Sequence, residues 1–282
     1  MKNFVLIACV VISSCNTVRS VKSNMDARRV QLENMLNPID SLDRKRAEKL
    51  EKGELDEKTD SIVRAYIARL KDSIAIRLQR FDVLASNLGD NKKAAIAYLN
   101  SVKDAYKKEL DNILFFDDLF DASTFSRLNT AAFFAPGEYL PEETTYTRAK
   151  AIMDQILDDA MTFANRYKKK KLQAMFVVTG YADEEAILPG SSLYESLVAS
   201  VSNTDRKVLN RELSTRRATA IRDILKKEYY LLDKKHQAKN LTANFLAIGK
   251  GEALPQANIK DYKAIDERRR VVLMYWSMVP EL

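Results

Sequence analysis

Apolar side chains return at every third or fourth position through residues 25 to about 120. Ile62/Val63, Tyr66/Ile67, Leu70, Ile74, Leu78, Phe81 and Leu84 form one run, and Ile96, Leu99, Val102, Tyr106, Leu110 and Ile113 form a second. That stride puts one apolar stripe along a helical turn and predicts two helices. Between the runs, Leu88-Gly89-Asp90-Asn91 offers a C-terminal Gly for the first helix and a cap for the second, so the runs read as an antiparallel pair. Pro38 and Gly53 cut the earlier, highly charged stretch into shorter helices. Upstream, residues 16–24 (NTVRSVKSN) are polar and lack large apolar groups, the composition of a flexible tether without structure of its own. A helical spacer with a solvated charged face and a partner-binding bundle both fit this region, and nothing in it indicates chemistry.

After Asp121 the composition changes. Thr130-Ala-Ala-Phe-Phe134 is a short β-prone run closed by the turn signal Pro136-Gly137. Residues 146–167 are helical by pattern (Ala149, Met153, Ile156, Ala160, Phe163), and the Lys run 168–171 suits the negative pole of that helix. Met175-Phe-Val-Val-Thr179 follows as a buried strand, 209–229 as a second amphipathic helix, 245–248 as a third strand and 270–275 as a fourth. The predicted fold class is α+β: an N-terminal region of antiparallel α-helices over 25–128, then a β-α-β-α-β-β domain over 129–282.

The N-terminus narrows what the rest can be. MKNFVLIACVVISSC has one Lys, an apolar run from Phe4 to Ile12, and then Ile12-Ser-Ser-Cys15. A positive start, an apolar stretch and small residues before a cut are the parts of a secretory signal, and the ending resembles the lipobox of bacterial lipoproteins. The resemblance implies that residues 1–14 are removed and that Cys15 is lipidated, with 15–24 as the lipidated tether. The run is too brief to cross a bilayer as a helix. Cys9 falls in the discarded part, so no disulfide is expected and stability must come from a buried core. Acyl chains on Cys15 would hold the chain at outer-membrane lipid without spanning it. A formal charge of +7 favours acidic surroundings, such as an anionic membrane face or a polyanionic wall polymer.

Four motifs lie in order on the C-terminal elements. Val177-Val-Thr-Gly-Tyr-Ala-Asp183 marks a strand running into a turn, and Asn210-Arg-Glu-Leu-Ser-Thr-Arg-Arg-Ala218 lies on a helix. Gly249-Lys-Gly-Glu-Ala-Leu-Pro255 follows a strand, and Arg268-Arg-Arg-Val271 belongs to the last one. Together, from about residue 130 to Trp276, they resemble the OmpA-like peptidoglycan-associated domain. The resemblance implies that Asp183 and Arg217 grip the amino and carboxylate groups of diaminopimelate in the wall's stem peptide, with Asn210 and Leu213 beside them. The chemistry is sensible for a zwitterionic head: charge-assisted hydrogen bonds are the strong ones, and the Arg fork binds both oxygens of a carboxylate. Asn210, Leu213 and Arg217 fall at i, i+3 and i+7 on one helix face, so Leu213 is expected to pack while Arg217 reaches the rim.

The chain departs from the family pattern at several places. Tyr181-Ala182 stand where the family has His-Thr, Arg268 where it has Asn, and Ile265 where an Arg often precedes it; Asp183 and Arg217 are also much further apart than usual. The extra chain, 184–207, holds Pro189-Gly-Ser-Ser192 and then Leu193, Leu197, Val198 and Val201, which predict one short amphipathic helix. A fold tolerates such an insertion, because loop closure grows costly only slowly with length. It either borders the ligand cleft, as a lid or a partner patch, or is a solvent loop.

His236 is the single histidine, in the expected Lys-rich loop Asp233-Lys-Lys-His-Gln237 with no Ser or Cys motif to serve, which argues against acid–base catalysis. There is no Cys/His cluster for zinc, no Gly-x-x-x-x-Gly-Lys-Ser/Thr loop for nucleotide and no regular acidic loop for calcium. Asp183-Glu184-Glu185 could attract a cation but lacks the alternating spacing of a ligand cage. No cofactor or metal is expected, and basic runs at 168–171 and 268–270 do not make a nucleic-acid reader. The sequence reads as an outer-membrane lipoprotein with its body in the periplasm, a non-enzyme that binds peptidoglycan. The alternative is an accessory or scaffold subunit of an outer-membrane complex, with its helical region or insertion docking a protein partner and its cleft degenerate.

Overall fold

The hydroxyl of Thr17 accepts a hydrogen bond from Ser20 N (3.2 Å) and caps α1 (Val18–Glu33). The computed structural model describes residues 17–121, 138–139, 143–236, 239–255 and 259–280. The signal with Cys15, the run 130–134 expected as a strand and the turn at Pro136-Gly137 lie outside the described residues. Residues 18–24, expected as an irregular tether, are instead the first turns of α1. Val21, Met25 and Leu32 bury along one stripe of that helix, most of which lies beyond residue 24.

Pro38 does not break a helix. It sits in the first turn of α2 (Leu36–Glu51), where a missing N–H leaves no bond unmade. Gly53 does end it: Glu54 N bonds Lys49 O (2.8 Å), Gly53 N bonds Leu50 O (3.0 Å), and Gly53 takes φ 68°, the left-handed closure that glycine adopts without penalty. α3 (Glu57–Ser86) and α4 (Leu88–Asp121) are separated by Asn87 alone, so Gly89 lies in the first turn of α4 rather than after α3.

The chain divides into two compact units that interleave in sequence. One takes residues up to Ser41 with Tyr66–Phe115, the other Leu42–Ala65 with Phe116–Leu282. Within the first, α3 and α4 run antiparallel as expected. Phe81 meets Tyr98 edge to face with ring centroids 5.0 Å apart, the Tyr98 hydroxyl donates to Arg77 O (3.1 Å), and Glu109 accepts from Ser73 Oγ (2.7 Å) and from Arg77. Ile67, Leu70 and Ile74 of α3 are buried in this unit, as are Ala95, Val102 and Ile113 of α4.

The second unit carries a mixed sheet of β1 (Leu172–Gly180), β2 (Leu241–Gly249) and β3 (Val272–Pro280) in the order β2-β1-β3. β1 is parallel to β2, from Leu172↔Leu241 to Gly180↔Gly249, and antiparallel to β3, from Leu172↔Pro280 to Gly180↔Val272. Being central, β1 is buried on both faces, which is why it reads as an unbroken apolar run. On one face lies α7 (Arg206–His236), whose Tyr229 packs against the stacked rings of Phe176 and Phe245. α5 (Glu143–Arg166) packs on α7 through Lys150 and Glu228 (2.6 Å); hydrogen bonds to Asp154 and Glu228 push the Lys150 ammonium up to about 12. On the other face Val177, Tyr181, Val271, Leu273 and Tyr275 form an apolar cluster, and the α2–α3 corner meets that side through Thr59 and Ser277 (3.2 Å).

The α+β class and the N-terminal helical region are as expected, while the β-bearing part differs in detail. Asp233 to His236 finish α7 instead of forming a loop. Arg268, Arg269 and Arg270 stand outside β3: a 3₁₀ turn (Glu267–Arg269) precedes the strand, and all three sit at its mouth. The insertion contains α6 (Ser192–Val198), the short helix predicted there, capped by Ser191. Among the described residues, no helix is long and apolar enough to cross a membrane.

Candidate functional site

Two glycines position the site. Gly180 and Gly249 are partners at the C-terminal ends of the parallel strands, and α7 crosses them too closely for a side chain. A Cβ at Gly180 would sit 2.1 Å from Ser214 O, and one at Gly249 2.1 Å from Thr215 Oγ1. This approach carries Asn210, Leu213 and Arg217 past the residues that follow β1. The Asn210 side-chain amide donates to Asp183 O (3.0 Å), Glu185 O (3.2 Å) and Glu252 Oε1 (2.9 Å), tying the strand end to the helix. Ala182 N bonds Gly251 O and Glu184 N bonds Ala264 O, so the chain after β1 is held from both sides.

Asp183 and Arg217 line one open pocket of about 270 Å³, together with Asn210, Leu213 and Arg270. The four site residues expected from the sequence are therefore brought together. Arg217 does not reach the rim, however. It is only 2 % exposed, and its Nε donates to Glu138 O (2.8 Å). Burial, then the Arg270 charge beside it, pulls the Arg217 guanidinium down to about 10, with Asp183 opposing; it is still cationic at neutral pH.

Asp183 is held by its neighbours as well. Its Oδ2 accepts from Arg270 Nε (2.9 Å) and Asp266 N (3.2 Å), while Oδ1 takes only a long bond from Glu185 N (3.4 Å) among those described. Arg270 also reaches Glu185 (2.6 Å), and the Asp183 hydrogen bond raises the Arg270 guanidinium above its ordinary value. Glu184 pairs with Arg269 (2.9 Å), whose guanidinium also binds the carbonyls of Lys263, Ala264 and Glu252. That pairing, aided by Arg206, holds the Glu184 carboxyl below its usual range. The three adjacent acids thus face arginines, and among the described residues no group of three or more His, Cys, Asp or Glu side chains could hold a metal ion.

Sequence reasoning missed Arg270, Glu185 and Arg216. A signal was present: three consecutive acids at 183–185 and three consecutive arginines at 268–270 invite pairing across the strand mouth. The insertion borders the pocket with Ala186, Ile187, Leu188, Ser191 and Leu193. It is a packed wall: Leu197 buries against Leu209 and Leu213, and Arg216 Nη2 donates to Ser196 O and Ser200 Oγ, each at 2.7 Å. Comparison with protein-family models, with curated proteins and with solved structures gives no match for this chain.

Proposed function

We propose that the pocket binds the zwitterionic head of diaminopimelate in the peptidoglycan stem peptide, and that the chain is an outer-membrane lipoprotein, anchored through acylated Cys15, whose body tethers the wall noncovalently from the periplasm. The observation that carries this reading is the shared pocket of Asp183 and Arg217, a carboxylate and a guanidinium on one open hollow of about 270 Å³. Asp183 Oδ1 is the oxygen with room to accept from an ammonium, and Arg217 supplies the charge for a carboxylate. The OmpA-like resemblance of the motifs agrees with a β1 flanked by one parallel and one antiparallel neighbour.

One observation favours a second reading. Arg270 already neutralises Asp183, as it would in a degenerate cleft belonging to a scaffold subunit of an outer-membrane complex. Sedimentation with purified diaminopimelate-type peptidoglycan separates the two. The tether predicts that the wild-type chain pellets with the wall and that Asp183→Asn and Arg217→Lys each weaken binding by about tenfold or more, the worth of one charge-assisted bond. A wild-type chain that stays in the supernatant rules for the scaffold.

A further inference from the structure

We infer that the insertion is the specificity wall of this pocket: it reads the alkyl chain behind a zwitterionic head, so the preferred ligand is an α-amino-acid terminus carried on an alkyl side chain. The inference rests on the head-binding reading above and goes beyond it. The pocket lining combines two kinds of side chain. Asp183, Arg217 and Arg270 supply its charge, while Ile187, Leu188 and Leu193, all from the insertion, supply an apolar side. Leu188 is 73 % exposed. A lone surface leucine needs no explanation, but this one lines the same hollow as Asp183, Arg217 and Arg270. A bare head such as glycine would satisfy the charges and leave the leucines wet.

The wall is preformed. Arg216 fixes the C-terminal end of α6 through Ser196 and Ser200, and its guanidinium lies over the Tyr139 ring at 5.2 Å. Arg216 is thus a positioning residue, adjacent in sequence to the arginine that meets the ligand. A wall held in this way selects shape without a closing step.

Titration of the full chain with norleucine and with glycine, followed by NMR, isolates the effect, because the two probes share a head and differ in one butyl chain. The wild-type chain is expected to prefer norleucine by about tenfold. Leu188→Ser, at an exposed position outside the core, should cut that preference to about twofold. Arg216→Gln should lower the same preference by loosening the wall. A Leu188→Ser chain that keeps the full preference, or a wild type that binds both probes equally, overturns the wall while leaving head binding intact. A wild type that binds neither probe overturns head binding, and the wall with it.

Discussion

Two ionic clusters in this chain are built from similar side chains and differ in what lies beside them. In the helical unit, Glu109 is enclosed between α3 and α4 with Arg77 and Ser73, and its Oε2 is buried with no hydrogen-bond partner. In the α/β unit, Asp183 and Arg217 are comparably buried, yet with the half-buried Arg270 they line an open pocket. A closed pair carries a desolvation cost that is repaid only while both partners are present. An open cluster keeps one side for something else. The contrast suggests that buried charge marks a site only where the packing around it leaves space.

Substitutions should separate the two clusters. The largest effect is expected from Arg77→Leu, which leaves Glu109 buried without its counter-charge and should cost about 3–5 kcal/mol of stability. A urea midpoint measures it, and sedimentation with peptidoglycan below that midpoint should be unchanged. A loss under about 1 kcal/mol would mean that the helical pair is solvated and the contrast is false. Gly180→Ala comes next, because its Cβ would meet Ser214 O at 2.1 Å and push α7 off β1. About 2–3 kcal/mol of destabilisation is expected together with loss of wall binding, since Arg217 and Asp183 would separate.

The smallest effect is on pH. Glu184 and Asp266 both have carboxyls held below their ordinary values of 4.5 and 3.8, by Arg269 and Arg268 respectively. Because the folded values are the lower ones, the stability these acids contribute is fully present above the ordinary values and is lost as the pH falls through the folded ones. Measured relative to an unfolded control peptide, pepsin should therefore cut the pocket mouth around residues 261–266 faster at about pH 2 than at about pH 4. Equal relative cutting at both would show that these pairs contribute nothing.

Much of the α/β unit was legible, because its signals are local. The Gly180 and Gly249 motifs, the apolar run of β1 and the i, i+3, i+7 face of α7 each state a constraint within a few residues. The depth of Arg217 was not legible: periodicity assigns a side chain to a face but cannot say how far the neighbouring segment at Glu138 covers it. Arg270 was hidden for a related reason, since Arg268-Arg-Arg-Val271 reads as the start of a strand while the 3₁₀ turn before β3 leaves Arg269 and Arg270 turned toward 183–185. α1 was missed at its start because residues 16–24 include only the first residue of its buried stripe, Val21. The interleaving of the two units follows from tertiary packing, with the α2–α3 corner meeting the sheet through Thr59 and Ser277, and no composition shift marks it.

The central claim is that the acid after β1 and the guanidinium on α7 receive one amino-acid head. Backbone NMR of the full chain during titration with meso-diaminopimelate tests it most directly. The predicted result is saturable shifts of amides at 180–188, 210–217 and 270, abolished by Asp183→Asn. Shifts confined to another surface, such as the α2–α3 corner, or no shifts at saturating ligand, would contradict it.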